Sequence, residues 1–412
     1  MSPRWMLWTL PLAGLAGLVH AAPLSFNRTL EIAERQSPIL AANAAQTGAA
    51  QSTAVPAGAL PDPKLIAGVD NYPVSGMDAG HLKRDFMTMQ KIGLMQEFPN
   101  PAKRRAREDV ASANVDVAEA QRRIERLKVR RETALAWLNR FYVERKVSLY
   151  DELARENRVL AIAVKAQIAA GRGQIADAVM PKQEAAQLAD RSDELQRDIA
   201  KARADLRRYV GAEADEALAG EPPALPVDAQ RFRERLDQQA ELHAFGSAIR
   251  RAEAELREAD AMKKPDWGVE LAYQRRAPQF GNMVSVQFTV DLPVSPSTRQ
   301  DPLIEAKRQE LVRIDAEREA MRRERTFELE NTLAELAAVT HQVERARQTS
   351  LPLAREKIDL QTASYQAGKG DLAALLAARR ELIDQRLKVI DLEGQRAALA
   401  ARLHFAYGET ER

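Results

Sequence analysis

The chain carries one long motif twice. Ala170-Gly171-Arg172-Gly173-Gln174-Ile175-Ala176 returns 197 residues later as Ala367-Gly368-Lys369-Gly370-Asp371-Leu372-Ala373. The offset holds to the ends of both segments, where Leu206 answers Leu403 and Gly211 answers Gly408. A chance match would drift, so a gapless register over about forty residues marks a duplicated helical unit. The unit fills about half the chain. The architecture is therefore a two-fold duplication and not a short-period solenoid.

Both halves read as long helices interrupted by one non-helical insert. The first half opens with a helical tract over 24–50, polar-capped around Ser25 and Asn27. A segment over 54–101 is rich in Pro, Gly and strand formers. Helix resumes over 102–169, turns at Gly171-Arg172-Gly173 and returns to about Tyr209, with Pro181 expected to interrupt the returning helix. The second half predicts helix over 231–264, an insert over 265–302, helix from Leu303 to Ala367, and a return from Gly368-Lys369-Gly370 to about Tyr407. The segment 303–367 spans roughly 100 Å at ~1.5 Å per residue. Leu329, Leu333, Leu336, Val339 and Val343 alternate gaps of four and three, a seam for side-by-side helix packing. Pro352 should kink or interrupt that helix. The glycines at 171, 173, 368 and 370 suit sharp antiparallel reversals.

The expected division is a signal peptide over 1–22, a first repeat over 23–210, a linker over 211–228, a second repeat over 229–408 and a tail over 409–412. Arg4, the apolar run from Met6 to Val19 and small residues before Ala22 predict the signal and its cleavage. No cysteine occurs, which excludes disulfides, thiolate metal sites and acyl anchoring through a cysteine. The 61 basic and 59 acidic residues nearly cancel and are interspersed, so no net field points to nucleic acid.

The inserts constrain function most. Val284, Val286, Phe288, Val290 and Leu292 alternate with Met283, Ser285, Gln287, Thr289 and Asp291. Trp267, Val269, Leu271 and Tyr273 alternate in the same way with Gly268, Glu270, Ala272 and Gln274. The hairpin at about 265–293 therefore reads as two transmembrane β-strands, with lipid on one face and water on the other. A second hairpin falls at about 64–98, with strands over 64–74 and 84–98. There Phe86, Ile92, Leu94 and Phe98 share one face, and Met87, Met89, Lys91, Met95 and Glu97 the other. Four strands cannot close a barrel, and open sheet edges are not tolerated in lipid. Several chains must combine; three would supply twelve strands.

This layout resembles the TolC-type outer-membrane efflux protein family. Ser364-Tyr365-Gln366-Ala367-Gly368-Lys369-Gly370-Asp371-Leu372, followed by Ala378-Arg379-Arg380-Glu381-Leu382, is similar to that family's second turn and returning helix. Gly93-Leu94-Met95-Gln96-Glu97-Phe98-Pro99 resembles its strand-to-helix transition. Within the family, Pro61-Asp62-Pro63, Asp70-Asn71-Tyr72-Pro73-Val74 and 86–94 resemble the heavy-metal efflux branch, including copper/silver and zinc/cobalt/cadmium members. The resemblance implies a mainly α fold with a small β part. Long antiparallel helices would form an α-barrel tunnel, and four strands per chain would join a trimeric twelve-stranded outer-membrane β-barrel. It further implies a homotrimer set in outer-membrane lipid, with its helices in the periplasm, working with a periplasmic adaptor and an inner-membrane transporter. The function implied is a passive exit duct without cofactor, for heavy-metal cations. A duct for organic toxicants or secreted protein, and a periplasmic coiled-coil adaptor or scaffold, are the alternatives.

No catalytic constellation is present: His81, His243, His341 and His404 are scattered without metal-ligand spacing, so an enzyme is not expected. Met87, Met89, Met95 and Met283 fall on the expected lumen face, where thioethers either pass soft cations or fill gaps between strands. Glu97 and Asp291 would make the wall acidic near the strand-to-helix junction. At the turns, Gly171, Gly173, Gly368, Gly370 and Asp371 are candidates for the periplasmic tip and gate. Asp371 either joins a carboxylate ring on assembly or caps the helix that follows, whereas Asp177 reads as solvated surface.

Overall fold

The computed structural model describes residues 23–171 and 174–408. The expected signal peptide over 1–22, Arg172, Gly173 and the tail over 409–412 lie outside these described residues. In chain order the first repeat contains β1 (Leu24–Ser25), α1 (Phe26–Gln36), α2 (Pro38–Ala54), β2 (Lys64–Asp70), β3 (Met89–Phe98), α3 (Pro101–Ala169) and α4 (Met180–Val210). After β4 (Leu218–Ala219) the second repeat contains α5 (Ala229–Glu234), α6 (Ala240–Ala261), β5 (Trp267–Arg275), β6 (Met283–Val290), α7 (Gln300–Arg345), α8 (Leu351–Gln366) and α9 (Leu372–Leu403).

Local chemistry explains several departures from expectation. The first helical tract breaks at Ser37, which is extended, and Pro38 restarts it at a position where a missing N–H costs nothing. Pro181 does not interrupt α4 but opens it, for the same reason. Pro352 follows a π-helical turn over Ala346–Ser350, which absorbs the lost hydrogen bond between α7 and α8. The helix expected over 231–264 is split into α5 and α6 around Gln239, which is not helical. The strand expected over 64–74 ends at Asp70, because Asn71 turns left-handed with φ 56°. Its partner starts only at Met89, which leaves Phe86 and Met87 in the connecting loop. The linker, too, is partly structured: β4 pairs in parallel with β1, so the start of one repeat is stitched to the end of that repeat.

The densest core lies midway along α3. Trp137 is fully buried between Phe26, edge-on at 5.4 Å, and Phe141, stacked at 5.4 Å, and its indole donates to the Leu24 carbonyl at 3.1 Å. Away from this belt the helices are held by narrow apolar seams.

A polar clasp joins the repeats where strand becomes helix. The buried Asn100 side chain caps α3 by accepting from Lys103 N at 2.8 Å. Its amide donates to the Ala261 carbonyl at 3.1 Å and to Asp266 Oδ1 at 3.0 Å. Lys103 Nζ completes the clasp at 2.7 Å from Asp266 Oδ2. Burial alone would raise the Asp266 carboxyl, but Lys103 and the Asn100 amides together hold it below the usual range. A depressed folded value adds stability above the unfolded carboxylate pKa of about 4, lost as pH falls through the folded value. Asp266→Asn should therefore weaken the fold at pH 7 and approach wild type as pH falls through the depressed folded value, as read by thermal unfolding across pH. A constant gap at every pH would show that the clasp does not act through ionised Asp266.

Candidate transport path and periplasmic mouth

The four long strands form one antiparallel sheet in the order β2-β3-β5-β6. The hairpins of the two repeats meet through β3 and β5, in register from Gln90 opposite Arg275 to Phe98 opposite Trp267. Because successive side chains alternate, this register fixes the two faces. Leu65, Leu94, Leu271 and Val286 form one row across all four strands, and Ile92, Tyr273 and Val284 form the next across three. Leu65 is 69% exposed, Leu271 55% and Val286 57%, an apolar surface that water would not tolerate and lipid would cover.

The opposite face is polar. Lys64, Met95, Glu270 and Gln287 form one row, and Gly68, Lys91, Gln274 and Met283 another. Met89, Met95 and Met283 share this face with Lys91 and Glu97, whereas Met87 lies in the loop before β3. Two strand spacings and two residues separate Met89 from Met283, roughly 12 Å, so these thioethers do not converge within one chain. Among the described residues no group of three His, Asp or Glu side chains could hold a metal ion. Glu97 is paired with Lys64, and Glu270 with Lys91, so the Glu97 charge is offset. Asp291 lies one residue past β6, where its amide donates to the Asp266 carbonyl at 2.8 Å.

At the other end of the helices the two turns are neighbours. Gly171 and Gly368 both take φ 71°, the left-handed conformation that a Cβ disfavours. Gly370 is required for a different reason: a Cβ there would lie 2.8 Å from Ser364 Oγ and 2.9 Å from Tyr365 N. Asp371 occupies the N-cap of α9, but its side chain makes no capping hydrogen bond and is left available. Asp177, read as solvated surface, accepts from Gln174 N at 2.9 Å in an exposed bond that closes the first turn. Tyr365 marks where the turns approach, packed with Val164, Ile168, Met180 and Leu372. Burial pushes its phenol up, and the Asp177 and Asp371 carboxylates push it further. Sequence reasoning quoted Tyr365 as part of a motif without assigning it a place at the mouth. The available signal was the duplication itself, which sets Tyr365 against apolar Ile168.

Comparison with known proteins supplies the family. The model described as outer membrane efflux protein matches residues 233–409. That match spans the second repeat, less than half of the chain. No curated protein sequence matches the chain. The TolC-type fold extends through both repeats. The outer membrane protein VceC of Vibrio cholerae superposes with a TM-score of 0.77 at 19% identity, over 93% of this chain and 96% of that one. CusC superposes with a TM-score of 0.78 at 16% identity, over 93% and 92%. The Neisseria gonorrhoeae MtrE outer membrane channel, solved in its open state, superposes with a TM-score of 0.73 at 15% identity, over 99% and 98%. The polar sheet face and the paired turns thus occupy the two ends of an outer-membrane efflux fold.

Proposed function

We propose that this chain is the exit duct of a tripartite efflux system, assembled as a homotrimer and conducting heavy-metal cations from a periplasmic pump complex to the exterior. One observation carries the duct reading: a four-stranded sheet with an apolar outer face and both edge strands, β2 and β6, unpaired. Such edges are costly in lipid, and three copies joined edge to edge give the even count of twelve strands that a closed wall needs. Among the described residues no helix is long and apolar enough to cross a membrane. The long helices are therefore left to build the periplasmic tunnel, with their turns offered to an adaptor and an inner-membrane transporter. Three copies of Asp371 would form a carboxylate ring at the mouth, which favours cations. The metal reading rests on the segments resembling the heavy-metal branch, with Met89, Met95 and Met283 on the polar face as passing contacts.

Survival of a deletion strain across Cu, Ag, Zn, Co, Cd and organic toxicants tests the cargo. Selective sensitivity to metal ions is the expected result. Sensitivity to organic toxicants alone would keep the duct and overturn the metal assignment.

A further inference from the structure

The seam joining α4 to α3 and α9 has three layers near the mouth. Towards the turns lie Val164, Met180 and Leu376, and away from them Leu153, Leu188 and Ile383. Between these apolar layers sit Asn157 from α3, Glu184 from α4 and Arg379 from α9, exposed by only 3%, 3% and 7%. Asn157 Nδ2 donates to the Pro181 carbonyl at 2.9 Å, and Arg379 Nη2 donates to Glu156 at 3.1 Å. Asn157 Oδ1 and Glu184 Oε2 are buried and accept nothing. The Asn157–Glu184 pair has no counterpart in the second repeat: 197 residues on, Asn157 becomes buried Ala354, and Glu184 becomes Glu381, which accepts from Lys357 at the surface at 2.6 Å.

Two orphan acceptors without a donor make an ionised carboxylate expensive at this position. A proton on Glu184 would turn one of them into a donor. We propose that Glu184 is a proton-operated latch: protonated, it holds α4 against α3 and α9, and ionised, it loosens that layer and favours an open mouth. The opening half of this inference rests on the duct reading above.

The charges facing Glu184 are Arg379 and Arg380 from α9 and Glu156 from α3. Burial pushes its carboxyl up, the two arginines pull it down, and Glu156 pushes it up again, for a net rise above the ordinary range. A raised folded value means the stabilisation is complete below the unfolded pKa of about 4.3 and is lost as pH rises through the folded value. Acid should therefore close the layer.

Hydrogen exchange of the full chain in detergent, corrected for intrinsic rates, tests the latch directly. Amides of 180–188 in the wild type should lose protection severalfold as pH rises from about 4 to about 7.5, a range that begins below the unfolded carboxyl value. Glu184→Gln, which cannot ionise, should keep the acid-level protection throughout, and Glu184→Met serves if the amide fails to assemble. Identical pH profiles in wild type and either variant would overturn the proposal. Planar-bilayer conductance then tests opening: wild type should conduct more as pH rises, and Glu184→Gln should stay low. A chain that shows the exchange shift but conducts at no pH would retain the proton-sensitive contact and refute the duct.

Discussion

Val286→Arg should remove the protein from the outer membrane, whereas Gln287→Arg one residue on should be tolerated. Val286 closes the row Leu65, Leu94, Leu271, Val286 near mid-strand on the apolar face, and Gln287 closes the polar row begun by Lys64. A charged side chain facing lipid at the midplane costs about 2–4 kcal/mol, and the same charge facing a water-filled lumen costs little. In a trimer that cost is incurred three times. Outer-membrane fractionation and resistance of the assembled species to denaturing detergent would register the difference. Equal tolerance of both substitutions would show that neither face meets lipid, and equal loss would point to a sheet packed on both sides.

The second large effect is expected far from the membrane. Arg140 is 1% exposed, yet it lies within α3 among exposed cations. Its guanidinium donates to the Ala214 carbonyl at 2.7 Å, to the Glu216 carbonyl at 2.8 Å and to Glu144 Oε1 at 2.8 Å. These bonds dock the segment after α4 onto α3 and hold β4 against β1. Arg140→Leu keeps much of the volume but leaves carbonyl oxygens without donors, and should cost about 3–5 kcal/mol, as breaking a buried charged pair does. Arg140→Lys should recover only part of this, because one ammonium cannot reproduce a planar fork reaching two carbonyls. Limited proteolysis should then cut within 211–228 much faster than in wild type. Unchanged cleavage would show that the apolar belt around Trp137 holds the segment without Arg140.

The residues differ in how much of their role could be read in advance. The hairpin at 265–293 was legible because strict alternation survives without neighbours: Val284, Val286 and Phe288 are apolar whatever they pair with. The first hairpin was less so, because its pattern continues past the point where Asn71 ends β2, and Met87 looks like a strand residue while lying in a loop. Gly171 and Gly368 were legible as reversals, and both take φ 71°. Gly370 serves as a close-approach position, which depends on where Ser364 and Tyr365 come to lie. Asp177 reads as solvated surface in the sequence, whereas ring and cap both stay open for Asp371. The structure binds the first into a capping bond and leaves the second uncommitted.

Local periodicity and the 197-residue duplication by themselves determined long paired helices, sharp glycine turns and strands with one apolar face, because backbone geometry reads those patterns at short range. Only the tertiary structure decided that β3 meets β5, that Lys64 offsets Glu97, that Arg140 is buried, and that Asn157, Glu184 and Arg379 share one layer. These are contacts between residues 24 to 223 positions apart, and in a chain with 120 charged side chains nothing local distinguishes a buried ion from a solvated one.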